Sequence, residues 1–158
     1  MDKFSDEELS LTLVSKRGPR PAFSTIYMNL AVGLSARSTC RRLAVGCAIV
    51  SPDWRYVYGV GYNGNAAGLA NDCDSDEVGK CGCIHAETNA VVNCSTPRSF
   101  EKVVLVTHLP CVACAKLLIN LGGVQKVYYL NDYRIRDSVA ILEKVGIYVV
   151  QFDPEKCV

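Results

Sequence analysis

An α/β fold, with a mixed five-stranded sheet and helices on both faces, is predicted by three features of the sequence. Two strand-like runs, 44–50 and 56–62, are separated by the turn signal Ser51-Pro52-Asp53 and read as an antiparallel hairpin. From residue 85 onward, helical and strand-like segments alternate regularly. Gly122, Gly123 and Gly146 stand where helices would end.

Each element has its own justification, taken in chain order. Residues 1–21 hold a short helical pattern at 6–14. They end in Lys16-Arg17-Gly18-Pro19-Arg20-Pro21, which continues neither a helix nor a ladder. They are expected to form an N-terminal arm, with 22–158 as the single folded domain. Phe23, Ile26, Tyr27, Leu30, Val32 and Leu34 recur at the spacing of an amphipathic helix over 22–39. Run 44–50 is small and β-branched, and 56–62 alternates aromatic residues with Val and Gly. A loop rich in Gly, Asn and Asp spans 63–82, a length that in a compact domain implies function or a pin. A helix over 85–94, a strand over 102–107 and a helix over 111–121 follow. A strand over 126–130, a helix over 134–144 and a strand over 147–152 complete the pattern. There is no internal repeat and no interdomain linker.

The composition narrows the function. At 158 residues the chain is one domain's worth, and 49% hydrophobic with 21% charged residues is a globular balance. Seventeen Lys and Arg against 16 Asp and Glu leave a charge of +1, without the basic footprint of a protein that grips long nucleic acid. One small anionic substrate remains compatible. No apolar run approaches the ~18–20 residues that span a bilayer. The acidic start Met1-Asp2-Lys3-Phe4-Ser5-Asp6 lacks the apolar core of a signal peptide, so a soluble, cytoplasmic chain is expected. Nine cysteines are the anomaly, and in a reducing compartment clustered cysteines are metal ligands or catalytic groups more often than disulfides.

Two clusters carry chemistry: Cys83-Ile84-His85-Ala86-Glu87 and Pro110-Cys111-Val112-Ala113-Cys114. Each opens a predicted helix. Cysteines at i and i+3 of a first turn point the same way, and the helix N-terminus favours the thiolate. With His85 they make three ligands of zinc type and leave the fourth tetrahedral position for water, the pattern of a catalytic site. Glu87, two residues past His85, is placed to move the proton of that water. The competing reading makes His85 and Glu87 helix-surface residues and the cysteine pair a packing detail. That both clusters occur, in this order and each opening a helix, weighs against it.

His-Ala-Glu followed by Pro-Cys-x-x-Cys resembles the signature of zinc-dependent nucleobase deaminases. More narrowly, the chain resembles the deoxycytidylate (dCMP) deaminase family. Ser38-Thr39-Cys40-Arg41-Arg42, Val45 to Val50, Gly61-Tyr62-Asn63-Gly64, His85 to Ala90, Thr107 to Leu118 and Val127-Tyr128-Tyr129 carry the likeness, over about residues 23–152.

The resemblance implies a three-layer α/β/α fold of the cytidine-deaminase type and zinc-dependent hydrolysis of dCMP to dUMP and ammonia, supplying dUMP for thymidylate synthesis. By the same likeness His85, Cys111 and Cys114 hold the catalytic zinc and Glu87 is the acid and base. Asn63 hydrogen-bonds the sugar and the Ala86 backbone reads the cytosine carbonyl. A phosphate needs a cation, which Arg42 or Lys80 could supply. Some relatives bind a second, structural zinc, for which Cys40, Cys73, Cys81 and Cys83 are the matching donors; the alternative is free thiols in the loop. Cys47, Cys94 and Cys157 fit no such pattern, and His108 reads as structural. A homo-oligomer, a hexamer in many relatives, is also implied. The chain departs from the family at Asn93-Cys94-Ser95-Thr96-Pro97, where relatives often carry aromatic and basic residues, so control by dCTP and dTTP is not carried over. The alternatives are a deaminase of dCTP or another cytosine nucleotide, a polynucleotide (tRNA or single-stranded DNA) deaminase, and a zinc-stabilised binding module, against which Glu87 speaks.

Overall fold

The computed structural model describes residues 20–153, apart from Val78 and Arg134. The helical pattern at 6–14, nearly all of the arm and Cys157 lie outside them. Nine elements follow in order: α1 (Phe23–Ser35), β1 (Gly46–Val50), β2 (Val57–Tyr62), α2 (Ala86–Val92), β3 (Lys102–His108), α3 (Val112–Leu121), β4 (Val124–Asn131), α4 (Asp137–Lys144) and β5 (Tyr148–Gln151). The sheet runs β2-β1-β3-β4-β5, so the predicted mixed five-stranded sheet is present. β1 is antiparallel to both β2 and β3, whereas β3, β4 and β5 are parallel.

Alternation along β3 divides the core in two. Val104 and Val106 face Ala86, Ala90, Leu118 and Leu142, the side covered by α2, α3 and α4. Val103 and Leu105 face Met28, Ala31 and Phe152, the side covered by α1. β1 and β3 are buried along almost their whole length because helices cover both faces. No helix among the described residues is long and apolar enough to cross a membrane.

The boundaries differ most from the sequence reading in two places. α1 stops at Ser35 rather than 39, where the apolar spacing also stops, and residues 36–42 turn off toward the long loop. α4 starts at Asp137 rather than 134, with its acidic residue in the first turn, where the helix dipole favours a negative charge. Gly122, Gly123 and Gly146 all take positive φ, as their places at helix ends require.

The seat of α2 matters most for the site. It lies directly on the backbone of β2: a Cβ on Gly61 would overlap the Ala86 carbonyl and the Ala90 amide, and one on Gly59 would overlap the Ala90 carbonyl. Asn89 Nδ2 donates to the Tyr62 carbonyl (2.8 Å) and Asn93 Nδ2 to the Val60 carbonyl (2.9 Å), so the helix also satisfies part of the open edge of β2. At the far end of the sheet Lys102 is fully buried. Its Nζ donates to the carbonyls of Pro97, Phe100 and Gly122 at 2.7–3.1 Å, and burial pulls its pKa down.

Candidate active site and cysteine cluster

The first helical turns of α2 and α3 meet near the ends of β2 and β3. His85 and Cys111 are the N-cap residues of the two helices, in extended conformation. His85 Nδ1 lies 3.6 Å from Cys111 Sγ and 3.3 Å from Cys114 Sγ, and the three donor atoms lie within 4.8 Å of one another. Nitrogen and sulfur ligands on a tetrahedral zinc stand about 3.6 Å apart. The spacing therefore fits that ion, with Nδ1 as the imidazole donor.

The electrostatics fit as well. The Cys111 thiol is pulled far below its usual range by hydrogen bonds with the Cys114 thiol and His85, and the Cys114 backbone N–H also donates to Sγ at 3.5 Å. The His85 ring is pulled up, chiefly by its hydrogen bond to Cys111. Cys114 goes the other way, held up by its bond to Cys111 and by burial. A shift of the Cys111 thiol toward the thiolate suits a metal ligand.

Glu87 lies in the first turn of α2, 4% exposed, and is the only buried acid among the described residues. Burial pushes its carboxyl up, against the smaller pulls of its own backbone N–H and of His85. It shares a cavity of about 650 Å³ with His85 and Cys111.

The second cluster closes more tightly than spacing alone could promise. Cys40 follows α1, Cys73 and Cys81 lie on the long loop and Cys83 precedes α2; the sulfurs of Cys40, Cys81 and Cys83 fall within 4.8 Å of one another. Cys73 Sγ lies 3.8 Å from Cys40 Sγ and 3.7 Å from Cys83 Sγ. Four thiolates on a tetrahedral zinc stand about 3.8 Å apart. Burial, then hydrogen bonds with Cys40 and Cys73, push the Cys83 thiol up. Exposed pairs of Arg41 with Asp72 (3.0 Å) and Asp76 (2.8 Å) bracket Cys73; such pairs contribute little energy but fix the loop's course. Of the remaining cysteines, Cys47 is buried in the core and Cys94 sits 3.3 Å from Thr96 Oγ1.

The candidate substrate contacts divide. Ala86 and Arg42 line the cavity, and Arg42 Nη1 donates to the Glu77 carbonyl at 3.0 Å. Lys80 is instead paired with the Glu77 carboxylate at 2.8 Å. Asn63 lines the cavity but works mainly on the backbone: Oδ1 accepts from the Val45 N–H (2.8 Å) and Nδ2 donates to the Leu43 carbonyl (2.6 Å). One amide hydrogen and the second lone pair of Oδ1 are left for a sugar. Asn63→Ala is therefore expected to lower stability by about 2–3 kcal/mol, roughly 5–10 °C in Tm for a domain of this size, along with activity. Thermal melting checks this, and an unchanged Tm with lost activity would restore the sugar contact as its main role.

His108, set near the pocket by sequence but read as structural, lines the cavity. Among the residues that sequence reasoning missed are Asp132 and Tyr133, which line it beyond the end of β4. The signal was available in the topology: β3 and β4 are parallel neighbours, and the crevice beyond the carboxyl ends of such strands is where α/β folds bind ligands.

Residues 23–131 match the family profile described as the cytidine and deoxycytidylate deaminase zinc-binding region. ComE operon protein 2 of Bacillus subtilis is 34% identical over 153 residues, covering 88% of this chain and 76% of that protein. The deoxycytidylate deaminase of Saccharomyces cerevisiae is 33% identical over 145 residues; the match covers 84% of this chain but only 46% of the longer yeast protein. Among solved structures, the dCMP deaminase of cyanophage S-TIM5 in complex with dCMP and dUMP superposes with a TM-score of 0.74 at 32% identity. That match covers 85% of this chain and all of the phage chain. On this match, and on a donor set built for zinc beside a buried carboxyl, the chain belongs to the cytidine and deoxycytidylate deaminase family and is a hydrolytic deaminase.

Proposed function

We propose that the protein converts dCMP and water to dUMP and ammonia, supplying dUMP for thymidylate synthesis. The observation that carries this is the buried Glu87 beside the His85, Cys111 and Cys114 donors on a nucleotide-sized cavity. The likeness to a phage enzyme whose structure holds dCMP and dUMP supports the substrate.

Zinc held by His85 Nδ1, Cys111 Sγ and Cys114 Sγ would polarise the attacking water. Glu87 takes a proton from that water and delivers it to N3 of the ring. It then passes the second proton to the departing amine, so that ammonia leaves and the C4 carbonyl forms. Ala86, at the start of α2, offers its backbone to the cytosine carbonyl, and Asn63, braced on the backbone of Leu43 and Val45, hydrogen-bonds the sugar. Arg42 is the cation on the cavity wall suited to the phosphate. Cys40, Cys73, Cys81 and Cys83 hold a second, structural zinc that pins loop 63–82 to the start of α2. The working unit is a cytoplasmic homo-oligomer, a hexamer on the family resemblance, with 1–21 as an arm outside the catalytic domain 22–158.

Ammonia release from dCMP against deoxycytidine tests the substrate. Binding energy from the remote phosphate can be used at the ring, so kcat/KM for dCMP is expected to exceed that for the nucleoside by at least about tenfold. Equal turnover of deoxycytidine would move the protein to the cytidine branch. Salt-dependent binding of an oligonucleotide without turnover of dCMP would replace the reading with a polynucleotide deaminase.

A further inference from the structure

The four-sulfur cluster differs from the active-site donors in what an oxidant can reach. Cys40, Cys73, Cys81 and Cys83 are all half-buried, so none is sealed from solvent. In the active-site set Cys114 is 3% exposed, and Cys111 is the half-buried one. Susceptibility to oxidation follows thiolate character and exposure, and a thiol that ligates a metal is already deprotonated. Within the cluster Cys73 stands apart. Its Sγ lies 3.7 Å from Cys83 Sγ and 3.8 Å from Cys40 Sγ, so it can pair with either. The Arg41 backbone N–H donates to it at 3.4 Å, and the Arg41 side chain, shared with Asp72 and Asp76, hydrogen-bonds it as well. Partial exposure beside a cation is the setting of reactive cysteines.

The same cluster is tied to the substrate side. Cys40, Cys81 and Cys83 line the cavity, and so does Arg42, two residues past Cys40. Arg42 Nη1 donates at 3.0 Å to the carbonyl of Glu77, which lies on the loop between Cys73 and Cys81. Ile84, next after Cys83, is bridged to Gly64 through both backbone hydrogen bonds. The loop has few buried residues of its own, so its course and the aim of Arg42 depend on the cluster.

We propose that the cluster is an oxidation site: a hydroperoxide joins Cys73 to Cys83 or Cys40 in a disulfide, and the loop so released weakens dCMP binding. The inference rests on the second zinc of the reading above. The Cys73 sulfur attacks one peroxide oxygen, the O–O bond breaks, and hydroxide leaves with the bonding pair to give a sulfenic acid. The neighbouring sulfur attacks the sulfenic sulfur, a second hydroxide leaves, and the disulfide forms. Two sulfurs lose two electrons, one peroxide gains them, and two protons from solvent turn the hydroxides into water. Two of four ligands are thereby withdrawn from the closed set, and Arg42 loses the carbonyl that steadies it. A thiol reductant with zinc reverses the change, since a disulfide is reducible where a sulfinic acid is not.

The test adds a small excess of hydrogen peroxide to the zinc-loaded protein. Released zinc is followed with a metallochromic indicator, disulfides by peptide mass spectrometry, and turnover of dCMP by ammonia release. One of the two ions is expected to leave first, with Cys73 linked to Cys83 or Cys40. KM for dCMP should rise by roughly tenfold or more, the size of a lost hydrogen bond to a charged group, with kcat less affected. Dithiothreitol with zinc should restore it. Cys73→His supplies a three-cysteine, one-histidine set, and should keep both ions but release the second at least about tenfold more slowly. Arg41→Ala leaves every sulfur in place and should also slow the release. Release at the parent's rate in both variants, a first disulfide that omits Cys73, or an unchanged KM after release would overturn the proposal and leave both zinc sites standing. Global unfolding of the oxidised protein, read by circular dichroism, would overturn it too. A parent with one zinc, unmoved by Cys73→Ser, would remove the structural site and the proposal together.

Discussion

Glu87→Gln should reduce dCMP turnover by on the order of 10³-fold while leaving the zinc content unchanged. The amide matches the carboxyl in shape but can neither take a proton from water nor return one to the ring. Glu87 is buried at the start of a helix seated on Gly59 and Gly61, so an isosteric substitution leaves that seat alone. The melting temperature is therefore expected to stay within a few degrees of the parent's. Ammonia release, zinc analysis and thermal melting on one preparation separate the outcomes. Parent-like turnover would remove Glu87 from the chemistry. Loss of zinc together with turnover would make it a support of the metal site instead of a proton carrier.

The second large effect concerns the two donor clusters, which should fail in different ways. Protein purified without chelator is expected to hold two zinc ions per chain. Cys111→Ser removes a ligand of the three-donor set and should abolish one zinc and all turnover. Cys73→Ser opens the four-sulfur set and should abolish the other zinc. Its main consequence is thermal: a closed structural site contributes folding energy outright, so a drop of several kcal/mol, roughly 10 °C or more in Tm, is expected. The long loop explains the size of that effect. It contributes few buried apolar residues; Leu69 is 61% exposed and every Asp and Glu in it faces solvent. A stoichiometry of one, unmoved by Cys73→Ser, would remove the structural zinc and leave the catalytic site as described.

The two clusters also share a wall. Ile84 pairs with Gly64 through both backbone hydrogen bonds (2.8 and 3.1 Å), and this bridge lies between Cys83 of one donor set and His85 of the other. A loop loosened at the cysteines is thereby placed to disturb the cavity mouth, where Cys40, Cys81 and Arg42 stand. Some loss of affinity for dCMP is expected to accompany the lost stability of Cys73→Ser.

The parts of this protein legible in its sequence are those set by neighbours in the chain. A strand shows its alternation, a helix its spacing, and Cys111 and Cys114 their common direction, because each depends on the geometry of a few consecutive residues. The clusters that hold His85, Glu87, Cys111 and Cys114 were therefore readable before any fold was known. The helix ends at Gly122 and Gly146 were readable for the same reason. What only the tertiary structure decided is which distant groups meet. The antiparallel placement of β1 beside β2 makes Asn63 a brace across residues 43 and 45. Closure of the loop sets Cys73 between Cys40 and Cys83. The parallel register of β3 and β4 brings Asp132 to the cavity that His108 also lines, and the Gly46 N–H, sixty-one residues from Thr107, donates to the Thr107 hydroxyl. A buried polar atom must find a partner, but the register of a sheet, not the local sequence, determines which atom that is.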